Sequence, residues 1–124
     1  MIFTDAFDAW FQGLDDEEQD SILHYLNVLK NKGSQLGRPY VDTLKGASLS
    51  NLKELRVQHQ GKPYRLLFVF DPIRQAVMLC GGDKTGDKRF YQKMIPLAEE
   101  IYKQYLQSEY YLQSLKGKSN EKLR

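Results

Sequence analysis

Three short apolar runs separated by two turn signals fill the middle of the chain, between residues 51 and 91. The turn signals are residues 60–63, which read QGKP, and residues 71–72, which read DP. Glycine and proline at such positions interrupt regular structure, and the aromatic and branched residues between them are typical of strands. The stretch therefore predicts a three-stranded antiparallel meander around which the rest of the chain is organised.

The first apolar run alternates in a way that assigns its side chains to two faces. Successive residues of a strand point to opposite sides of the sheet. Leu55 and Val57 therefore point one way, whereas Glu54 and Arg56 point the other. We expect the first strand to have one apolar face and one polar, partly cationic face.

The second run, residues 64–70, is apolar on both faces apart from Arg65. This pattern is typical of a central strand that is covered on both sides. Charged side chains are rarely buried without a partner or a ligand. Arg65 is therefore expected either to form an ion pair, for which Glu54 is a candidate, or to form the floor of an anion site.

The third run, residues 75–80, leads into the segment 81–89, which reads GGDKTGDKR. Its glycines are expected to let the backbone turn sharply at the open end of the sheet. The basic residues that could meet there on one concave surface are Arg56, Arg65, Lys84, Lys88 and Arg89, with Tyr91 one helical turn further on. Such a surface would bind phosphate or RNA. By composition and spacing alone, a solvated loop is the commoner interpretation.

Length and composition describe one ordinary globular domain. A chain of 124 residues that is 41% hydrophobic and 27% charged can bury one modest core. Its net charge of +2 is too small for a general polyanion binder, so any nucleic-acid binding would depend on a local patch. With no long apolar run and no basic leader in the sequence, a cytoplasmic protein without membrane contact is expected.

Neither disulfide nor metal chemistry is indicated. The single Cys80 excludes an internal disulfide, fits a reducing compartment and is expected to be a small buried hydrophobe. No cluster of histidine, cysteine and acidic residues has the spacing of metal ligands, so neither a metal nor a cofactor is expected.

The segment before the meander predicts two helices that cover the sheet. Residues 1–3 are expected to form a short edge strand, and Thr4 is a good N-cap for the first helix. Asp15 and Glu18 predict a capping box at the start of the second. Residues 34–50 show little periodicity and are expected to form an irregular connection.

The segment after the meander predicts a return helix from Asp87 onward, because apolar residues recur there at helical spacing. These residues are Phe90, Met94, Leu97, Ala98, Ile101 and Tyr105. Pro96 predicts a kink or a fresh helix start at residues 95–96. The tail beyond Gln107 is expected to extend the helix and then to fray over the basic residues 116–124.

A resemblance to a known family is carried by residues 52–106, which read LKELRVQHQGKPYRLLFVFDPIRQAVMLCGGDKTGDKRFYQKMIPLAEEIYKQYL. The segment resembles the RelE/ParE toxin superfamily, in particular its HigB-like, phage-derived branch, and the likeness extends over residues 1–106. Phe90 stands where the family pattern usually has Trp. The resemblance implies an α+β domain over residues 1–115, with a small antiparallel sheet of three to four strands, two N-terminal helices and a C-terminal helix.

The resemblance also implies a reaction, since related toxins cleave ribosome-bound messenger RNA through its own 2′-hydroxyl and without a metal. That chemistry needs cations to stabilise the phosphorane, a base and an acid. Arg56 and Arg65 would bind phosphate, while Lys84 and Lys88 would stabilise charge or exchange protons. Tyr91 would stack on a base or donate a proton.

Three further candidates lie around these residues. Asp83 is the nearest candidate for a base, although it could equally cap the following helix. Arg89 and Lys45 would bind RNA at the flanks. The alternative for the whole set is a surface basic cluster that pairs with Glu54, Asp83 and Asp87.

The resemblance further implies partners, namely a helix-turn-helix antitoxin encoded nearby, the ribosome and messenger RNA, and operator DNA through the antitoxin complex. The tail residues Tyr110 and Tyr111 could serve an antitoxin or dimer contact. Two other functions stay open on this fold. One is a ParE-like toxin that inhibits DNA gyrase without nuclease activity, and the other is an inactive phage-derived binding protein.

Overall fold

The computed structural model describes the backbone of residues 1–123 and the side chains of residues 1–117. The strands are β1 (Ile2–Phe3), β2 (Val41–Thr43), β3 (Lys53–His59), β4 (Lys62–Phe70) and β5 (Ala76–Asp83). The helices are α1 (Asp5–Gln12), α2 (Asp16–Lys32), α3 (Phe90–Leu106) and α4 (Glu109–Leu123), with a 3₁₀ turn at Gly33–Gln35. The described strands form one sheet in the order β1-β5-β4-β3-β2.

The predicted meander is confirmed, because β3, β4 and β5 pair antiparallel in chain order. β4 is the central strand and is buried on both faces over most of its length, as its apolar pattern indicated. β1 forms the expected edge strand and runs parallel to β5. The α+β class is therefore confirmed, although the sheet has five strands and not three to four.

The irregular connection predicted for residues 34–50 is wrong in part, because β2 lies within it. β2 pairs antiparallel with β3, with Val41 opposite Leu55. A strand of three residues is too short to show the alternation by which strands are predicted. Its pairing with β3 and the burial of Val41 hold it at the edge of the sheet.

The two N-terminal helices begin where the sequence predicted. The Thr4 hydroxyl accepts a hydrogen bond from the backbone N–H of Phe7 at 3.1 Å. Asp15 and Glu18 form a complete capping box at the start of α2. These contacts satisfy backbone donors that a helix start leaves unpaired. Of the helices in the described part of the chain, none is long and apolar enough to cross a membrane.

Helices cover both faces of the sheet. α1 and α2 pack on the face that carries Leu55 and Val57, as the alternation in β3 predicted. α3 and α4 pack on the opposite face, where Leu67 and Cys80 belong to a second core. Cys80 is buried as expected, and burial raises the pKa of its thiol to about 12. Glu54, Arg56 and Arg65 share this second face, as their register with Leu67 and Cys80 requires.

The C-terminal helices differ from the prediction. α3 continues through Pro96, so the predicted fresh helix start is wrong. Apolar contacts of α3 on both sides of the proline outweigh the one helical hydrogen bond that the proline removes. The predicted extension of this helix is also wrong. The helix is interrupted at residues 107–108. There the Ser108 hydroxyl accepts a hydrogen bond from the backbone N–H of Tyr111 at 3.2 Å and caps α4. Leu97 is 46% exposed and does not join the core.

The tail residues separate into a buried and an exposed tyrosine. Tyr111 is only 6% exposed and packs against Tyr105, with 5.2 Å between the ring centroids. Tyr110 is 58% exposed, so only Tyr110 of the pair is free for the predicted partner contact. The fraying predicted for residues 116–124 concerns mostly residues 118–124, whose side chains the structure does not describe. It stays a prediction, as does the domain boundary at residue 115.

Candidate functional site

Two arginines oppose each other on the face of the sheet that α3 partly covers. Arg56 on β3 and Arg65 on β4 are register partners, so their side chains project from the same face. Like charges directly opposite each other on neighbouring strands are destabilising unless an anion lies between them. The side chain of Arg65 is 13% exposed and that of Arg56 is 35% exposed. The pair therefore forms a cationic surface that solvent reaches mainly at Arg56.

A buried carboxylate lies between the two guanidinium groups. Glu54, two residues before Arg56 on β3, is only 3% exposed. Its Oε2 accepts a hydrogen bond from Arg56 Nε at 3.2 Å, and its Oε1 lies 3.6 Å from Arg65 Nε. Of the two alternatives for Arg65, the ion pair with Glu54 is therefore present.

Tyr91 reaches the same carboxylate from the first turn of α3. Its hydroxyl donates a hydrogen bond to Glu54 Oε1 at 2.5 Å. Burial, together with the hydrogen bond to Glu54 and the charge of that group, raises the pKa of Tyr91 to about 12, while Arg65 acts in the opposite direction. The hydroxyl therefore keeps its proton at neutral pH.

Gly82 lets α3 come close enough for this contact. It is the register partner of Arg65, and a Cβ at this position would lie 3.0 Å from Phe90 Cε1. Gly81 faces the other side, where a Cβ would lie 2.5 Å from Cζ3 of Trp10 on α1. Of the glycines expected to turn the backbone sharply, Gly86 does so with a φ of 66°, whereas Gly81 and Gly82 lie within β5 and make room for a helix on each face.

Lys84 extends the cationic surface beyond Tyr91. Its backbone N–H donates a hydrogen bond to the Pro63 carbonyl at 2.9 Å, which holds the start of the loop against β4. Its Nζ lies 5.3 Å from the centroid of the Tyr91 ring, within the range of a cation–π contact. The structure thus brings Lys84, Tyr91, Glu54 and Arg65 into one continuous group.

Lys88 and Arg89 are exposed on the loop that leads into α3. Asp87 holds the end of this loop, because its Oδ1 accepts the backbone N–H of Arg89 at 3.0 Å and its Oδ2 pairs with Lys93 at 2.6 Å. Within residues 1–117, no carboxylate pairs with Lys84, Lys88 or Arg89. The alternative of a charge-paired surface cluster thus fits the two opposed arginines but not the loop cations.

Asp83 lies apart from this group. It is the register partner of Tyr64, so it projects from the face that α1 and α2 cover, opposite to that of Arg65. Its Oδ1 accepts hydrogen bonds from the backbone and hydroxyl of Thr85 at 2.9 and 2.6 Å. Asp83 therefore caps the turn after β5 and not α3, and the geometry does not support its assignment as a base.

Lys45 is also separate from the arginine pair. It is exposed on the loop between β2 and β3. This loop is tied to α3, because the Ser48 backbone N–H donates a hydrogen bond to the Glu99 carboxylate at 3.1 Å. Among the described residues, the Lys45 side chain forms no hydrogen bond or ion pair with the group around Glu54.

The site has an outer ion-pair chain that sequence reasoning missed. Asp42 on β2 accepts hydrogen bonds from Arg56 at 3.1 Å and from Arg38 at 2.8 Å. The hydrogen bond from Arg38 is the largest of the effects that lower the pKa of Asp42. The register places Asp42 opposite Glu54, so recognition of β2 was the signal needed to find it.

A small α+β protein with cations gathered on one face of its sheet fits the class of RelE-like toxins. The family model for phage-derived Gp49-like proteins matches residues 9–103, and the chain belongs to this family. No solved structure matches the chain.

Two relatives from Mycobacterium tuberculosis (strain ATCC 25618 / H37Rv) support the same assignment. The protein named "Putative toxin HigB3" is 39% identical over 111 residues, which cover 89% of this chain and 96% of that protein. The protein named "Putative toxin HigB2" is 40% identical over 105 residues, which cover 83% of this chain but only 52% of that longer protein. The predicted membership of the HigB-like toxins of toxin–antitoxin modules is thus confirmed.

Proposed function

We propose that this chain is a cytoplasmic type II toxin that cleaves messenger RNA on the ribosome. One observation best supports this proposal. Arg56, Arg65 and Tyr91 surround the buried Glu54 carboxylate, and Lys84 packs on the Tyr91 ring beside them. We further propose a helix-turn-helix antitoxin encoded nearby as its partner, with operator DNA bound only through that complex.

The proposed reaction uses the RNA's own 2′-hydroxyl. Its oxygen attacks the adjacent phosphorus while its proton passes to solvent water, and the bond to the 5′-oxygen breaks. The guanidinium groups of Arg56 and Arg65 and the ammonium group of Lys84 stabilise the growing negative charge. Tyr91 gives a proton to the leaving oxygen, which binds it more tightly than a phenolate does. The products are a 2′,3′-cyclic phosphate and a 5′-hydroxyl end.

The exposed cations of the loop serve binding and not chemistry in this proposal. Lys88 and Arg89 carry charges that no carboxylate of residues 1–117 neutralises, so they are suited to the phosphates that flank the cleaved bond. Lys45, on the loop beside α3, would contact RNA further out. We therefore expect binding to weaken as salt rises.

The decisive test is expression of the chain alone in a bacterial host, with mapping of 5′-hydroxyl ends on cellular transcripts. We expect growth arrest and new ends within translated codons. Arg65→Ala and Lys84→Ala should each lower the rate of cleavage roughly 100- to 1000-fold, because each removes a cation from the developing charge. Lys30→Ala is the matched control, since Lys30 is an exposed lysine in the last turn of α2, on the other face of the sheet.

The same experiment separates the alternatives. Arrest without new RNA ends, together with inhibition of DNA supercoiling by the pure protein, would contradict the nuclease and support a gyrase inhibitor. The absence of arrest would support an inactive binding protein. Unchanged cleavage in folded Arg65→Ala and Lys84→Ala variants would overturn the assignment of the site.

A further inference from the structure

The buried Glu54 carboxylate divides its two oxygens between different partners. Oε2 accepts the hydrogen bond from Arg56 Nε at 3.2 Å. Oε1 accepts the hydrogen bond from the Tyr91 hydroxyl at 2.5 Å and faces Arg65 Nε at 3.6 Å. One side chain thus connects β3, β4 and α3 at the point where the cations meet.

The charges of this group do not cancel. The three guanidinium groups of Arg38, Arg56 and Arg65 and the two carboxylates of Glu54 and Asp42, with Tyr91 neutral, leave one formal positive charge. Without Glu54, Arg56 and Arg65 would oppose each other with no anion between them. Glu54 therefore holds the two arginines together and still leaves a net attraction for one further anion.

Arg65 Nε and the Tyr91 hydroxyl face the same oxygen of Glu54 at unequal distances. At 2.5 Å the hydroxyl has the short contact with Oε1, whereas Arg65 Nε lies at 3.6 Å. Within the described residues Arg65 Nε is a buried nitrogen without a hydrogen-bond partner. Such a group is costly to leave unpaired. Arg65 Nε therefore lies close to Oε1 without a hydrogen bond, while the Tyr91 hydroxyl makes the short contact with that oxygen.

We propose that Glu54 is the positioning residue of this site. Its two carboxylate oxygens hold Arg56, Arg65 and the Tyr91 hydroxyl in place around that carboxylate. The role in cleavage rests on the proposed function, whereas the placement itself is a property of the protein alone. When Tyr91 gives its proton to a leaving oxygen, its hydrogen bond to Oε1 is lost and Arg65 can take that position. The guanidinium group then offsets the negative charge left on the phenolate.

The first measurement is the pH titration of Tyr91 in the isolated protein. The ¹³C chemical shift of the ring carbon that bears the hydroxyl reports its ionisation in protein made with ¹³C-labelled tyrosine. Tyr91→Phe identifies its resonance among those of the eight tyrosines. The charged groups that contact Tyr91 are Glu54 on β3, Arg65 on β4 and Lys84 on the loop. Over the pH range in which the protein stays folded, the Tyr91 hydroxyl should ionise at a lower pH in Glu54→Gln than in the wild type, so that its midpoint lies lower, because the neighbouring negative charge is gone. Glu100→Gln, an exposed carboxylate on α3, should leave it unchanged.

The second measurement concerns Arg65 and keeps the proposal testable if Glu54→Gln does not fold. In Tyr91→Phe the Glu54 Oε1 atom loses its hydroxyl donor, so we expect Arg65 Nε–H to move closer and donate a hydrogen bond to it. We expect its hydrogen exchange with solvent to slow at least several-fold. An unmoved Tyr91 midpoint in folded Glu54→Gln, or unchanged Arg65 exchange in Tyr91→Phe, would overturn the proposal.

The third measurement is single-turnover cleavage on programmed ribosomes. Glu54→Gln should lower the maximal rate about 100-fold with a smaller change in the concentration at half-maximal rate, because misplaced groups impair the reaction more than binding. Equal rates for wild type and Glu54→Gln would overturn the role in cleavage. If the wild-type protein fails to cleave at all, the proposed function fails while the two measurements on the isolated protein still decide the placement.

Discussion

At Gly81 and Gly82 the absence of a side chain sets the distance of two helices from the sheet. Adjacent residues of β5 face opposite sides, so one glycine admits Trp10 of α1 and the other admits Phe90 of α3. The approach of Phe90 also fixes where its neighbour Tyr91 meets Glu54. Gly82 therefore helps to set the geometry of the site, whereas Gly81 sets the packing of α1 on the other face.

Gly81→Ala tests this packing. The new Cβ would lie 2.5 Å from the Trp10 ring, which is itself packed against Phe7 and Tyr64. We expect a loss of roughly 1–3 kcal/mol in the free energy of unfolding, as for overpacking in other cores. Urea unfolding measures it. In Gly37→Ala the added Cβ meets no atom within 4 Å, so that control should change stability by less than about 0.5 kcal/mol. Equal stabilities for the two variants would contradict the close packing of Trp10.

At the scale of elements, α4 completes the second core. Ser108 ends the path of α3 and caps a new helix, which turns Tyr111 back onto Tyr105. The Tyr105 hydroxyl in turn donates a hydrogen bond at 2.9 Å to the buried carboxylate of Asp71 in the turn between β4 and β5. α4 is therefore part of the packed structure at its start, beyond the end of the family match at residue 103.

Neighbouring tyrosines of α4 allow a matched comparison. Tyr111→Ala should lower the free energy of unfolding by roughly 3 kcal/mol, because it empties a buried aromatic site. Tyr110→Ala removes a ring that is 58% exposed and should change stability by less than about 0.5 kcal/mol. Chemical denaturation of both variants decides the point. Equal losses would show that α4 does not pack on the core as described.

At the scale of the whole molecule, buried tyrosines contribute to both cores and to the site. Burial is the first cause that raises the pKa of each of five tyrosines, namely Tyr64, Tyr91, Tyr102, Tyr105 and Tyr111. A phenol with a raised pKa in the folded state stabilises that state fully below its unfolded value of roughly 10. The stabilisation is lost as pH rises from there through the folded value.

We therefore expect the protein to lose stability steeply above about pH 10. Each of the five phenols adds up to about 1.4 kcal/mol per pH unit to the slope, since the unfolded chain releases their protons first. Urea unfolding at several pH values between 8 and 11 measures this slope. Tyr105→Phe should reduce this slope by the contribution of one proton, whereas Tyr110→Phe, at an exposed position, should leave the slope unchanged. A stability that stays flat to pH 11 would contradict the prediction.

The sequence by itself determined the features that depend on near neighbours in the chain. The meander followed from alternation and turn residues, the starts of α1 and α2 followed from Thr4 and Asp15, and the burial of β4 followed from its apolar run. The pairing of Arg65 with Glu54 was one of the two alternatives that the sequence offered, because a buried charge requires a partner or a ligand. Each of these depends on local geometry or on a general cost of burial.

Only the tertiary structure decided which groups share the site. The Tyr91 hydroxyl meets Glu54 across 37 residues of chain, and Asp42 joins through a strand too short to be predicted. Asp83 and Arg65 belong to opposite faces because strand register, not closeness in sequence, fixes the direction of a side chain. The route of α3 through Pro96 and the new start of α4 were likewise set by packing. Contacts between distant segments depend on how whole elements pack, and no local pattern in the sequence encodes that.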